Sequence, residues 1–105
     1  MPSSRERQDA KATYPSEWLT VGDHITGNPA DQNPINLTKP APATHLKLQA
    51  LTQNIRYTVD GVTNPTTSSG FQLAAATDVL IPCPNALIII VAEVANGSYE
   101  AQWVY

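Results

Sequence analysis

Two segments beyond residue 42 alternate polar and apolar residues. They are His45–Ala50 and Asn54–Asp60. A period of two is typical of a β-strand that buries one face. Further apolar positions predict a third strand over Phe71–Ala75 and a fourth over Val79–Ile81, which the next proline ends. With two longer strands at the end of the chain, we expect an all-β domain.

The dipeptide Asn96-Gly97 lies between these last two strands. Asn-Gly favours a type I′ hairpin turn, whose two central residues need positive φ. In that register Ile90 faces Trp103, and one whole face of both strands is apolar, which a one-residue slip would destroy. We predict a hairpin here. A tight loop at Thr52-Gln53 aligns the apolar faces of the two preceding strands in the same way and predicts a second hairpin.

The segment Leu87–Val94 has apolar residues on both of its faces. A strand at the surface of a single sandwich needs only one buried face. The second face therefore requires a cover, and three are open: the arm of the same chain, the arm of a neighbouring copy, or a neighbouring subunit. We predict an interface formed by Trp18, Leu87, Ile89, Val91 and Val104.

The first 42 residues follow a different pattern. Six of the nine prolines fall there, and proline and its preceding residue both resist helix. We predict an extended N-terminal arm over residues 1–42 and a single β-sandwich or jelly-roll domain over residues 43–105. Residues 1–12 are polar, and a disordered tail or one to two helical turns both stay open. Trp18 and several aliphatic residues favour an ordered arm over residues 13–42.

Composition limits the class of protein. A length of 105 residues fits one domain, and a net charge of −3 argues against a nucleic-acid partner. A single cysteine excludes an internal disulfide. The chain begins without the apolar stretch of a secretory signal, and its longest apolar run is too short to cross a bilayer. We expect a soluble protein made in a cytoplasm, with no membrane partner.

No residue pattern predicts a metal, a cofactor or a catalytic site. His24, His45 and Cys83 lack the spacing of metal ligands. Asp60 opens a loop rich in oxygen-bearing side chains, but without the regular ladder of a calcium loop. The serines lack the strained turn that presents a catalytic serine. We expect no enzyme activity.

Two further groups have alternative interpretations. Glu93 and Glu100 face each other in the predicted hairpin and resemble a glycosidase pair only in residue type, because a tight exposed turn is no cleft. Tyr57, Tyr99 and Trp103 are residue types that stack on sugars, but their phase along the strands points them into the core.

The stretch Asn54–Phe71, with the phrase Ile-Arg-Tyr-Thr-Val-Asp-Gly-Val-Thr-Asn-Pro-Thr, resembles a strand-turn motif of small structural proteins of tailed bacteriophages. Those proteins often close on an aromatic-rich strand, as Gln102–Tyr105 closes this chain. A similar phrase occurs in β-sandwich modules at the ends of chitobiase-like enzymes. The likeness covers residues 43–105 and brings no catalytic residues; this chain has one extra residue before Pro65.

The resemblance implies a non-enzymatic structural protein of a phage virion. Together with the two-faced strand and the arm, it leads to the hypothesis of a capsid decoration, or cement, protein that bridges capsid subunits. Its partners would be the major capsid protein or another virion protein, and copies of itself, with a trimer favoured. It would assemble in the host cytoplasm and end in the virion. The alternative is a glycan- or cell-surface-binding module of a tail or fibre, which predicts exposed aromatic residues in a groove.

Overall fold

Eight β-strands form in residues 18–105, the part of the chain that the computed structural model describes, and no helix occurs among them. The expectations for residues 1–12, and for residues 13–17 of the predicted arm, lie outside the described residues. The strands are β1 (Thr20–Gly27), β2 (Ile35–Thr38), β3 (His45–Ala50), β4 (Ile55–Thr58), β5 (Phe71–Leu73), β6 (Thr77–Pro82), β7 (Leu87–Ala92) and β8 (Tyr99–Val104).

The strands form two antiparallel four-stranded sheets that face each other as a sandwich. The first sheet has the order β1-β8-β3-β6 and the second the order β2-β7-β4-β5. The all-β prediction is confirmed. Two of the strands, β1 and β2, come from the segment assigned to an extended arm, and their residues Val21 and Leu37 lie in the core. Within the described chain, the folded unit therefore starts well before residue 43.

The core lies between the sheets and follows the alternation along each strand. Its largest contributions come from Leu46 and Leu48 on β3, Ile88 and Ile90 on β7, and Trp103 on β8. Burying an aliphatic side chain of this size stabilises the fold by about 1.5–3 kcal/mol. The sheets are held together mainly by this shared apolar layer, since the ladder hydrogen bonds run within each sheet.

Both predicted hairpins are wrong. β7 and β8 lie in opposite sheets, and so do β3 and β4, because each connection crosses the sandwich as an arch. Two strands that face each other across a sandwich both direct every second side chain into the core between the sheets. Two paired strands of a hairpin also direct every second side chain to the same face. Matching apolar positions in two strands therefore fit a hairpin and an arch equally well.

The two arches lie side by side and are hydrogen-bonded to each other. The Leu51 amide donates to the Ser98 carbonyl at 3.0 Å, and the Glu93 amide donates to the Asn54 carbonyl at 3.1 Å. Asn96 has the positive φ, 63°, that its residue type favours. Asn96 thus has the backbone conformation of a tight turn, but the turn leads the chain into the other sheet and not into a hairpin.

The outer edges of the sandwich differ in regularity. β1 has a bulge between Val21 and Ile25, where the Gln102 side-chain amide donates to the carbonyls of Val21 and Gly22. A bulge hinders pairing with a further strand. β6 instead pairs with β3 at six consecutive positions without a shift. β6 and β5 are edge strands on the same side of the sandwich, which we call the open side.

Candidate interaction surface

The five residues predicted to form one interface lie on two opposite outer faces. Trp18 and Val104 are on the outer face of the first sheet, and Leu87, Ile89 and Val91 are on the outer face of the second. The separation follows from the arch, which places β7 and β8 in different sheets. A single flat contact cannot include all five.

The outer face of β7 is already covered within the single chain. Ile89 is 4% exposed and Val91 is 1% exposed, although both point away from the core. Their neighbours on β4 are Thr58 and Arg56, respectively. Leu87 is half-buried. The prediction that the second face of this strand must be covered was thus correct. Because the single chain already buries Ile89 and Val91, little apolar area remains on this face for a partner.

The loop between β4 and β5 is attached along this same face. The Thr58 hydroxyl donates to the Thr63 carbonyl at 2.5 Å, and Arg56 Nη1 donates to the Gly70 carbonyl at 3.1 Å. Pro65, in the middle of the loop, is buried. Gly70 has a φ of 107°, and a Cβ there would lie 3.1 Å from the Pro65 Cβ, so the loop packs directly on the strand. The segment that resembles the phage strand-turn motif therefore forms β4 and the loop that packs on its outer face.

Asp60 fixes the start of this loop with its carboxylate. It accepts from the Thr63 hydroxyl at 2.5 Å, the Thr63 amide at 2.9 Å and the Val62 amide at 3.0 Å. These hydrogen bonds, the Thr63 hydroxyl foremost, lower the pKa of Asp60 to about 2. The carboxylate oxygens are thus used by the loop itself.

Glu93 joins three polar side chains on the outer face of the second sheet. It accepts from Arg56 Nε at 2.6 Å, Gln72 Nε2 at 2.7 Å and Asn54 Nδ2 at 3.4 Å. The Gln72 hydrogen bond, followed by those of Arg56 and Asn54, lowers the pKa of Glu93 against an opposing desolvation. The expected pairing with Glu100 is wrong, because Glu100 lies in the other sheet.

The other polar candidates are dispersed. His24 lies 3.0 Å from Glu100, the His45 ring packs against Trp18, and the Cys83 thiol is buried. Among residues 18–105, no three His, Cys, Asp or Glu side chains are grouped as a metal site would need.

Two large apolar side chains are exposed on the open side. Phe71 is 62% exposed at the start of β5, and its ring lies 5.6 Å from that of Tyr57. Leu80 on β6 is 40% exposed. The groove between the two edge strands is lined by Tyr57, Val59, Phe71, Val79, Leu80, Ile81 and Pro82.

A second groove continues this surface onto the outer face of the first sheet. Trp18 packs on His45 with ring centroids 4.8 Å apart. With Val104 it lines a groove that also includes Lys47 and Asp78. Both grooves share Val79 and Leu80, so they form one apolar strip, which we call the apolar strip below.

Two of the predicted interface residues, Trp18 and Val104, line this strip, although Val104 is only 5% exposed. Phe71 and Leu80 were not among the predicted interface residues. Val79-Leu80-Ile81 is apolar on both faces, the same signal that was applied to β7. Phe71 gave no such signal, because the alternation along a strand does not reveal that the strand is at an edge.

No helix in the described residues is long and apolar enough to span a membrane. Comparison with models of known protein families, with curated proteins and with solved structures gave no match to this chain.

Proposed function

We propose that this chain is a non-enzymatic structural protein of a phage virion, a decoration protein that binds capsid subunits and copies of itself. The observation that supports this most is the apolar strip on the open side, between the edges of β5 and β6 that no other described strand pairs with. Exposed contiguous apolar surface of this kind is typical of protein contacts.

The strip suits a contact with protein for two reasons. Phe71 and Leu80 offer large apolar side chains on a rigid scaffold, and aromatic and aliphatic anchors dominate the energy of such contacts. Few charges border it, with Lys47 and Asp78 at its rim. Buried apolar area would stabilise a joint between subunits by about 25 cal/mol per Å² before the costs of association.

The phage assignment comes from the sequence phrase in Asn54–Phe71. That phrase supplies β4, the loop that covers it, and Phe71 at the start of β5. The resembled segment therefore borders the proposed contact surface. The likeness and the surface thus support the same proposal from different observations.

The test uses capsids of the phage that encodes the chain, stripped of it and mixed with the purified protein. The proposal expects saturable co-sedimentation and an increased temperature of capsid disruption. Virions that lack the chain by mass spectrometry, or stripped capsids that neither bind it nor change in stability, would reject it.

One observation favours the alternative of a glycan-binding module. Phe71, whose ring lies beside that of Tyr57, also lines another groove together with Thr58, Asp60 and Thr63, a mixture of aromatic and polar groups. This alternative expects hits on a glycan array that Phe71→Ala removes. An array with no hits, alongside capsid binding, decides for the decoration protein.

A further inference from the structure

The edge of β6 is the most regular edge of the sandwich in the described part of the chain. β6 pairs with β3 at six consecutive positions, whereas β1 is bulged, and β2 and β5 have only four and three residues. The other side of β6 has no strand beside it among the described residues. An edge without bulges or a run of charges is open to pairing with a further strand.

The ladder between β3 and β6 shows which backbone groups of this edge are available. The Cys83 amide donates to the Thr44 carbonyl at 2.9 Å, in the register of the β3–β6 pairs. Because backbone groups alternate in direction along a strand, the odd-numbered residues of β6 bond to β3. The amides and carbonyls of Asp78 and Leu80, and the carbonyl of Pro82, therefore point to the open edge.

The side chains of β6 favour contact with a surface of the same kind. On the inner face, Val79 and Ile81 line the groove between the sheets, and on the outer face Leu80 is 40% exposed. Of the six residues of β6, only Asp78 is charged, and its exposed carboxylate lies 3.7 Å from the Lys47 ammonium. The opposite charges of this pair balance, so a second copy of the same surface meets no net repulsion.

We propose that β6 pairs with β6 of a second copy, antiparallel and across a two-fold axis, so that the two first sheets become one continuous sheet. This inference rests on the proposed function, since it names the self-contact of the assembly. A two-fold contact uses the same patch on both copies. It gives a dimer or another even-numbered assembly in place of the trimer that the sequence hypothesis favoured.

A two-fold axis at Leu80 satisfies the available backbone groups. Leu80 then exchanges backbone hydrogen bonds with Leu80 of the second copy, since directly opposed residues of an antiparallel pair do so. The Asp78 amide of each copy donates to the Pro82 carbonyl of the other. Pro82 has no amide, and this alignment asks it only to accept.

The same alignment matches the side chains on both faces. On the outer face the two Leu80 side chains lie side by side, and on the inner face Val79 lies opposite Ile81 of the second copy. The two Asp78 residues lie about 13 Å apart along the strands, so like charges do not meet. The groove of each copy faces that of the other, and the exposed Phe71 side chain thus faces apolar surface.

The first experiment follows disulfide formation between identical copies that carry Cys83→Ala and Leu80→Cys. The alignment places the two new thiols at opposed positions, whose Cα atoms lie about 5.5 Å apart, within the range of a disulfide. Val94→Cys is the matched control, because Val94 is 46% exposed but lies in an arch. On mild oxidation, the Leu80→Cys dimer should form at least about tenfold faster than the control dimer, because docking raises the effective concentration. Equal rates would overturn the inference.

Asp78→Cys in the same Cys83→Ala background tests the alignment. The two thiols would lie about 13 Å apart, too far for a disulfide, so this dimer should form no faster than that of Val94→Cys. A dimer that forms as fast as that of Leu80→Cys would contradict a two-fold axis at Leu80.

Hydrogen exchange of single amides, in the chain without cysteine changes, tests what covers the edge. From dilute to associated protein, exchange at Asp78 and Leu80 should slow at least about tenfold. Slow exchange at these two amides already in the dilute monomer would show that a segment of the same chain lies on the edge. That result, an unchanged rate in associated protein, or a protein that stays monomeric by sedimentation at every concentration would overturn the inference.

These outcomes separate the two proposals. If the Leu80→Cys dimer forms no faster than its control while the protein still binds stripped capsids, the strand pairing fails and the decoration function stands. If the dimer forms selectively while the protein binds no capsid, the self-contact stands and the virion role fails.

Discussion

At the scale of single residues, Glu93 joins three polar side chains on the outer face of the second sheet. Its carboxylate accepts from Arg56, Gln72 and Asn54, which belong to or adjoin the neighbouring strands. Because it lies beside the covered side chain Val91, these contacts also close the face against water.

Glu93→Gln should lower the free energy of unfolding by about 1–3 kcal/mol, because half-buried Arg56 loses its charged acceptor. Glu100→Gln is the matched control, since its partner His24 is exposed and such pairs contribute about 0–1 kcal/mol. Urea unfolding of both variants measures the difference. Equal losses for the two would contradict the role of the Glu93 cluster.

Asp60 gives the loop over β4 a dependence on pH. Its pKa in the folded protein is about 2, below the ordinary value of an aspartate. A lowered folded pKa means that the stabilisation is complete above the unfolded pKa and is lost as the pH falls through the folded one.

The wild-type protein should therefore exceed Asp60→Asn in thermal stability at pH 6, and the gap should shrink between about pH 4 and pH 2. Thermal melts of both variants across this range measure it, and an NMR titration of the Asp60 carboxyl should give a midpoint near 2. A gap that stays constant down to pH 2 would show that the carboxylate hydrogen bonds do not hold the loop.

At the scale of elements, the two arches decide the topology. They carry the chain across the sandwich after β3 and after β7, and they bond to each other through Leu51–Ser98 and Glu93–Asn54. As a result β8 lies between β1 and β3, and β7 lies between β2 and β4.

Disulfide trapping distinguishes the arch from a hairpin. In a Cys83→Ala background, Gln49→Cys with Glu100→Cys should oxidise readily, because these residues are direct partners on β3 and β8. Glu93→Cys with Glu100→Cys should not, because facing sheets lie about 10 Å apart. Mass spectrometry of the oxidised variants reads out both. A disulfide that forms only in the Glu93→Cys, Glu100→Cys variant would contradict the arch and support the hairpin.

The elements also show how far the sequence could predict this fold. The bounds of β3 match its alternation, and the prolines near β6 end it where expected. Pairing was not predictable, because Asn96-Gly97 suits a hairpin and an arch alike. β1 and β2 were missed because their apolar residues are sparse, and edge strands need only a few, such as Val21 and Leu37.

At the scale of the whole molecule, the open side determines which surface is available to a partner. The prediction that an apolar face needs a cover was correct for β7, but the fold meets that need within the chain. The exposed surface lies instead where two edges come together, at Phe71 and Leu80. A location of this kind depends on strand order, which a single sequence does not reveal.

Self-association should respond to this surface alone. Phe71→Glu should raise the dissociation constant of the proposed oligomer by about tenfold to a hundredfold, the effect of losing one large side chain that the proposed contact would bury. Val94→Glu, also on an exposed apolar residue but at an arch, should leave it unchanged within about twofold. Sedimentation velocity over a concentration series gives both constants. Similar effects of the two variants would place the contact elsewhere.

The binding of Leu80→Glu and Val94→Glu to stripped capsids of the phage proposed to encode the chain tests the central claim most directly. Both variants place a charge on a comparably exposed apolar side chain, but only Leu80 lies in the apolar strip. Co-sedimentation should show Val94→Glu bound as tightly as the wild type and Leu80→Glu bound at least about tenfold more weakly. Wild-type affinity in Leu80→Glu would contradict the proposal that this strip joins the protein to the virion.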